Sequence, residues 1–144
     1  MSTNSVKPLK ILIVEDDVID RKQLERLLSK TTLSTSEVKH TEYLENALEI
    51  LDTDDFDIAL LDLNLPDSSG IDTVVKVSEK HPCVANIVIT GLDREDLSQK
   101  AIAKGAQDYL VKGKFDIQML SESIYSAFEH KKTELAMPIS AGLP

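Results

Sequence analysis

Side chains capable of chemistry follow four apolar segments of this 144-residue chain, each where a buried strand is expected to end. Because an isolated carboxylate is costly to bury, the aspartate after the run 56–61 is expected at the rim of a sheet, facing an opening. In open α/β sheets, the crevice beyond the carboxyl ends of the strands is where ligands bind. The residues expected at this rim are Glu15, Asp16, Asp62, Thr90 and Lys112.

The acidic residues at the rim predict a metal site. Glu15, Asp16 and Asp62 would repel one another unless a cation lay between them, and hard divalent cations prefer oxygen ligands. Mg²⁺, or Mn²⁺ in its place, is the expected occupant. Asn64, two residues after Asp62, is well placed to add a backbone carbonyl.

The same residue types suit phosphoryl transfer to a carboxylate. Aspartate is a competent nucleophile toward phosphorus, so Asp62 is the candidate acceptor. The developing charge must be neutralised from several directions, and the Lys112 ammonium and the Thr90 hydroxyl are suitable groups. Gly91, which follows Thr90, has no side chain to obstruct a group arriving at Asp62.

Apolar runs alternate with segments of helical period along the chain, which is typical of a parallel α/β fold. Five βα units are predicted, giving an open sheet with helices on both faces. Asp93 and Asp116 are candidate N-caps of the fourth and fifth helices, and Ile102 is expected to face inward. The predicted strands are 9–14, 36–41, the run ending at Asp62, 85–90 and 109–112.

Composition narrows the classes of partner and location. The formal net charge of −9 argues against direct nucleic-acid binding, which needs clustered Lys and Arg. No apolar run is long enough to cross a membrane, and the N-terminus lacks the apolar stretch of a signal peptide. A single cysteine fits a reducing cytoplasm. Residues 1–8 are expected to be disordered, 9–131 to form the domain, and 132–144 to be a flexible tail or a truncated linker.

Four motifs in this order resemble the response regulator receiver domain of two-component signalling, over about residues 9–130. The resemblance implies a flavodoxin-like, doubly wound five-stranded parallel sheet in strand order 2-1-3-4-5, with five helices. The motifs are Glu15-Asp16-Asp17, Asp62 with Pro66 and Gly70 behind it, Thr90-Gly91, and Tyr109 with Lys112.

The resemblance also implies a role for each site residue. Asp62 would be the phosphorylation site, and Glu15, Asp16, Asp62 and the Asn64 carbonyl would hold Mg²⁺. Lys112 would contact the phosphoryl group, Thr90 would shift toward it, and Tyr109 would change rotamer in step. These movements would remodel the surface of the fourth helix, fifth strand and fifth helix.

The implied partners are a histidine kinase or a histidine phosphotransfer protein as donor, and a downstream effector in trans. The protein would be a cytoplasmic monomer or a phosphorylation-dependent dimer. It would catalyse only its own phosphorylation and slow dephosphorylation, and is otherwise not expected to be an enzyme. The resemblance is to single-domain chemotaxis regulators, so the chain is expected to act by docking on a partner or by relaying phosphate to a histidine protein.

One position departs from the family pattern. Most members have proline after the lysine, often with a cis peptide bond, whereas this chain has Gly113. A cis bond before a residue other than proline costs about 2.5–4 kcal/mol. The Lys112–Gly113 bond is therefore predicted to be trans, with a different loop into the last helix.

Three other functions remain as alternatives. A phosphatase of the haloacid-dehalogenase type also uses Asp, Thr, Lys and Mg²⁺, but its nucleophile follows the first strand in an Asp-x-Asp pattern. Here Asp62-Leu63-Asn64 lacks the second Asp. An interaction domain that has lost phosphorylation would retain the fold without needing the complete set of site residues. A flavin site is disfavoured because phosphate-cradling Gly and Ser residues are missing after the first strand.

Overall fold

The computed structural model describes residues 8–136, which are organised by one open sheet. Neighbouring strands are parallel, and the five lie in the order second, first, third, fourth, fifth. This confirms the predicted flavodoxin-like fold. The strands are β1 (Leu9–Val14), β2 (Thr35–Thr41), β3 (Ile58–Leu61), β4 (Ala85–Thr90) and β5 (Asp108–Val111).

Five helices cover the two faces of the sheet. Apolar residues of the first and fifth helices pack in the core of one face. The other three helices contribute to the clusters on the opposite face. The helices are α1 (Val18–Ser29), α2 (Leu44–Thr53), α3 (Ile71–Lys80), α4 (Glu95–Ala103) and α5 (Ile117–Ala136).

The central strands are buried on both sides, as their apolar runs predict. Successive side chains of a strand point to opposite faces, so Ile13 joins the core under α1 and α5 while Val14 joins the core under α2. The β1–β3 register pairs Val14 with Leu61. Because Glu15 and Asp62 each come one residue later, the register places these two carboxylates side by side.

The segment after β3 contains a short hairpin that the sequence did not predict. Asn64–Leu65 pairs antiparallel with Ser68–Ser69, outside the main sheet. The tight turn between them brings the Gly70 N–H to the Leu63 carbonyl at 2.7 Å. This hairpin fixes the path of the chain immediately beyond Asp62.

Two expectations for α4 were wrong. The residue before the helix is Arg94, not Asp93, and it makes no side-chain capping bond. Asp93 is instead paired with Lys114, whose Nζ lies 2.7 Å from its Oδ2. Ile102 is 46% exposed rather than inward-facing, so α4 buries a narrower stripe than the apolar pattern indicated. The Asp116 cap of α5 is confirmed by a 2.8 Å bond from the Met119 N–H.

Asp67 caps a helix that is distant in sequence. Its Oδ1 accepts the Leu44 N–H at 2.8 Å, and its Oδ2 accepts the Glu45 N–H at 2.9 Å. The residue preceding α2, Tyr43, offers no side-chain cap of its own. The hairpin after β3 therefore satisfies the first turn of α2 from outside, as helix termini require.

The last helix is longer than predicted. α5 continues to Ala136, so residues 132–136 of the expected tail are helical, and Glu134 among them forms an ion pair with Lys131. The rest of that predicted tail and residues 1–7 of the predicted disordered start lie outside the described residues. None of the helices described is both long enough and apolar enough to span a bilayer.

The loop into α5 has the predicted peptide geometry. No peptide bond within residues 8–136 is cis, so the Lys112–Gly113 bond is trans. Gly113 has φ 79°. A proline ring holds φ near −65°, so this loop conformation excludes proline at position 113.

We expect Asp67→Ala to destabilise the protein by about 0.5–2 kcal/mol, since it removes both capping bonds of α2. Urea denaturation measures the difference. Burial opposes ionisation of Asp67, but the hydrogen bonds from Glu45 and Leu44 outweigh it and lower the pKa. A carboxyl group with a lower pKa in the folded state stabilises the protein above its unfolded-state pKa, and this contribution is lost as the pH falls through the folded-state pKa. The difference in stability between Asp67→Ala and the wild type should therefore narrow below about pH 4. An unchanged free energy of unfolding would contradict the cap.

Two glycine substitutions separate backbone strain from steric overlap. Gly105 (φ 120°) and Gly113 (φ 79°) both have conformations that disfavour side chains, but only Gly105 is crowded. A Cβ at position 105 would lie 2.9 Å from the Ser78 Cβ and closer still to its Oγ. At position 113 it would meet nothing within 4 Å.

We expect Gly113→Ala to cost about 1–2 kcal/mol of folding stability from strain alone. Gly105→Ala adds overpacking against α3, for about 1–3 kcal/mol more. Parallel denaturation of the two variants measures the difference. Equal stabilities would show that α3 gives way without cost.

Candidate functional site

Three carboxylates meet at the carboxyl edge of the sheet. Glu15, Asp16 and Asp62 each place one carboxylate oxygen within 4.8 Å of the others. Glu15 is 4% exposed and Asp62 is 6% exposed, whereas Asp16 faces solvent. The site therefore has two buried anionic walls and one open side.

Backbone N–H groups donate hydrogen bonds to both buried carboxylates. The Leu63 N–H donates to Asp62 Oδ1 at 2.8 Å, and the Asp17 N–H donates to Glu15 Oε2 at 3.1 Å. The Asp62 N–H in turn donates to the Val14 carbonyl at 3.0 Å, joining the two strand ends. These bonds leave one oxygen of each carboxylate turned toward Lys112.

Lys112 extends from the end of β5 into the carboxylates. Its Nζ lies 2.7 Å from Glu15 Oε1, 2.8 Å from Asp20 Oδ2 and 3.4 Å from Asp62 Oδ2. Its backbone N–H donates to the Thr90 carbonyl at 2.8 Å, which fixes the root of the side chain. The single ammonium thus faces three carboxylates.

Burial and neighbouring charges shift the pKa values of both Glu15 and Lys112. Burial raises the pKa of Glu15 to about 7, and the Asp62 charge adds to this, although Lys112 and the Asp17 N–H act in the opposite direction. Burial alone would lower the pKa of Lys112, but hydrogen bonds to Asp20 and Glu15 raise it above its usual value. Lys112 is therefore cationic at neutral pH. Additional positive charge near Glu15 would favour the ionised form of that carboxyl group.

The β4–α4 loop borders the site. Thr90 is buried at the end of β4, and its Oγ1 lies 3.5 Å from the Leu92 backbone nitrogen. A Cβ at Gly91 would meet nothing within 4 Å, which agrees with the expected open approach. The Tyr109 hydroxyl donates to the Leu92 carbonyl at 2.6 Å, so β5 ties down the same loop.

The structure brings together five of the residues predicted from sequence: Glu15, Asp16, Asp62, Thr90 and Lys112. Tyr109 lies farther out and reaches the loop rather than the carboxylates. Asn64 begins the hairpin, two residues after Asp62, and its carbonyl as a ligand stays a prediction.

Sequence reasoning missed Asp20, the partner of Lys112 on α1. An acidic residue in the first turn of a helix is expected for its dipole, so this position gave no distinct signal. Its place one turn after the acidic pair is the only clue the sequence offered.

Comparison with known proteins gives a family match. The model of the response regulator receiver domain matches residues 11–125. Response regulator protein PilR of Pseudomonas aeruginosa is 33% identical over 125 residues, which cover 87% of this chain and 27% of PilR. The chain spans only 27% to 56% of the lengths of eight such curated relatives.

Solved receiver domains match over nearly their whole length. The signal receiver domain of an HD domain-containing protein from Pseudomonas fluorescens is 25% identical, with a TM-score of 0.79 over 96% of this chain and 98% of that one. The BeF3-activated DrrB receiver domain is 28% identical, with a TM-score of 0.71 over 85% of this chain and 99% of that one. The family match, the sheet order and the acidic edge agree, and the chain belongs to the response regulator receiver domain family of two-component signalling.

Proposed function

We propose that this chain is a phosphorylation-dependent signalling module whose phosphoryl acceptor is Asp62. The observation that carries the proposal is the placement of Asp62 within the acidic cluster, with the Lys112 ammonium 3.4 Å from its Oδ2. A carboxylate with one oxygen held by a backbone N–H and the other facing an ammonium is oriented as a nucleophile. Family membership supports the same role.

The donor set fits a hard divalent cation. Glu15, Asp16 and Asp62 offer only oxygen ligands, close enough together to share one ion, and one side of the cluster is open to water. Mg²⁺ prefers a few carboxylates with several waters, and Mn²⁺ accepts similar ligands. In this proposal the Asn64 carbonyl completes the protein ligands. When bound, the metal supplies positive charge to the phosphoryl oxygens.

Transfer from a phosphohistidine donor is balanced as follows. An oxygen of Asp62 forms the new O–P bond while the P–N bond of the donor breaks, and the imidazole nitrogen retains the electron pair. Lys112 neutralises charge on the transferred group, and the Thr90 hydroxyl donates to another of its oxygens. Gly91 leaves room for the donor's imidazole.

The β4–α4 loop is the proposed readout. Thr90 and Tyr109 both contact Leu92, so a shift of Thr90 toward a phosphoryl group would disturb the bond from the Tyr109 hydroxyl. The surface of α4, β5 and α5 would then change shape. In this proposal that surface, within a receiver domain spanning residues 9–131, binds a downstream effector in trans.

The donor is proposed to be a histidine kinase or a histidine phosphotransfer protein, as family membership implies. The net charge of −9 does not suit direct contact with nucleic acid. A cytoplasmic location and a monomer, or a dimer formed on phosphorylation, complete the proposal.

Intact mass after incubation with acetyl phosphate tests the proposal. We expect a gain of one phosphoryl group that requires Mg²⁺ and is abolished by Asp62→Asn, because the amide removes the nucleophilic oxygen. Asp72→Asn, an exposed aspartate at the start of α3, is the matched control and should still be modified.

Absence of any gain in the wild-type protein would favour an interaction domain that does not use phosphorylation. Turnover of p-nitrophenyl phosphate would instead favour a phosphatase. The first result would remove the support for Asp62 as acceptor, and the second would contradict the proposal of a signalling module.

Removing the Tyr109 hydroxyl tests the proposed readout. We expect Tyr109→Phe to speed amide hydrogen exchange in residues 91–94, because a bond worth about 0.5–1.5 kcal/mol to the Leu92 carbonyl is lost. Exchange in β1, far from that bond, is the internal reference. Unchanged exchange in the loop would show that the Tyr109 hydroxyl does not restrain it.

A further inference from the structure

Asp20 is a fourth carboxylate at the site, and it contacts Lys112 but does not belong to the cluster of three acidic residues. Its Oδ2 lies 2.8 Å from Lys112 Nζ, which is shorter than the 3.4 Å from that nitrogen to Asp62 Oδ2. The cluster found among the described residues comprises Glu15, Asp16 and Asp62 without it. An ammonium has three N–H donors, and here they face three carboxylates, only one of which is outside the cluster.

The position of Asp20 is set by a rigid element. It is the third residue of α1, and its backbone N–H donates to Asp17 Oδ1 at 2.9 Å. Its side chain is 38% exposed, whereas those of Glu15 and Asp62 are nearly inaccessible to solvent. The helix therefore presents a fixed negative charge to the lysine from the solvent side.

A divalent cation in the cluster would change the partners of Lys112. Glu15 and Asp62 would then share their charge with the cation, whereas Asp20 would keep its bond to the ammonium. Without the Asp20 charge, the ammonium would compete with the cation for Glu15 and Asp62. The Asp20–Lys112 pair thus favours metal binding.

A phosphoryl group on Asp62 would act in the opposite direction. It adds negative charge and three strong acceptor oxygens next to the same ammonium. Lys112 would have to divide its donors between that group and Asp20, and the two anions would repel each other. The Asp20–Lys112 pair thus opposes the phosphorylated form.

We infer that Asp20 is a positioning residue for Lys112. It binds the ammonium in competition with a phosphoryl group on Asp62, and so favours the metal-bound, unphosphorylated protein. The inference rests on the proposed function of Asp62. It predicts effects of opposite sign on two ligands, which a loss of helix stability would not produce.

Asp20→Asn in the full chain tests the inference with two probes. Calorimetry should show Mg²⁺ binding about two- to fivefold weaker than in the wild-type protein, the scale of one partly screened charge. At saturating Mg²⁺, fluorine NMR should show beryllofluoride, a phosphoryl mimic, binding about two- to fivefold more tightly. Thermal unfolding of the same samples verifies that each variant is folded.

Asp17→Asn is the matched control. It removes one charge from the same turn, does not touch Lys112, and keeps the N-cap because Asn caps helices as well as Asp. It should leave both affinities unchanged from the wild type within experimental error. Asp20→Glu, which retains the charge and reaches farther, should restore most of the wild-type balance.

Equal shifts in Asp17→Asn and Asp20→Asn would overturn the inference by showing a general charge effect. Unchanged affinities in Asp20→Asn, or shifts of the same sign, would also overturn it. If the wild-type protein binds neither Mg²⁺ nor beryllofluoride, the proposed function fails first and the inference fails with it.

Discussion

One ammonium group compensates the carboxylates that this sheet buries at its carboxyl edge. Glu15 and Asp62 are nearly inaccessible to solvent, and two buried carboxylates with oxygens within 4.8 Å of each other are unfavourable unless positive charge lies beside them. Lys112, which follows β5, supplies that charge, and its Nζ lies 2.7 Å from Glu15 Oε1. Even with this ammonium beside it, burial raises the pKa of Glu15 to about 7. In the proposed function, metal binding and phosphoryl transfer would both act on this balance of charge.

The topology makes such a convergence possible with few constraints on sequence. Parallel strands end at one edge, so residues distant in the chain meet there without any local motif that joins them. The register between β1 and β3 aligns Glu15 with Asp62, and the bond from the Lys112 N–H to the Thr90 carbonyl aligns β5 with β4. Each alignment is fixed by apolar side chains on both faces of the sheet, far from the polar atoms. Core packing therefore sets the geometry of the site.

The positions of strand ends were predictable from the sequence, whereas the partners of loop side chains were not. Strand ends were predictable because long apolar runs stop abruptly at polar residues, as at Asp62. The contacts of side chains in loops and in the first turns of helices were not predictable. They depend on rotamers and on the path of the loops, which the hydrophobic periodicity of the sequence does not determine. Asp67 caps α2, which begins 23 residues earlier, and Asp93, expected as a cap, pairs with Lys114. Asp20 is of this second kind, since its contact requires α1 and β5 to be placed first.

A short mechanical route leads from the site to the proposed binding surface. Lys112 and Thr90 are joined through their backbones, and the loop after Thr90 is fastened to β5 by the bond from Tyr109 to Leu92. The loop is also held by the long 3.5 Å bond from the Leu92 N–H to Thr90 Oγ1 and by the exposed Lys114–Asp93 ion pair, which contributes little in water. A change in the partners of Lys112 would thus be resisted mainly by neutral hydrogen bonds to Leu92. Such a weakly held loop is suited to two arrangements. A neutral hydrogen bond contributes only about 0.5–1.5 kcal/mol, whereas a phosphoryl group would offer Lys112 and Thr90 several charge-assisted hydrogen bonds.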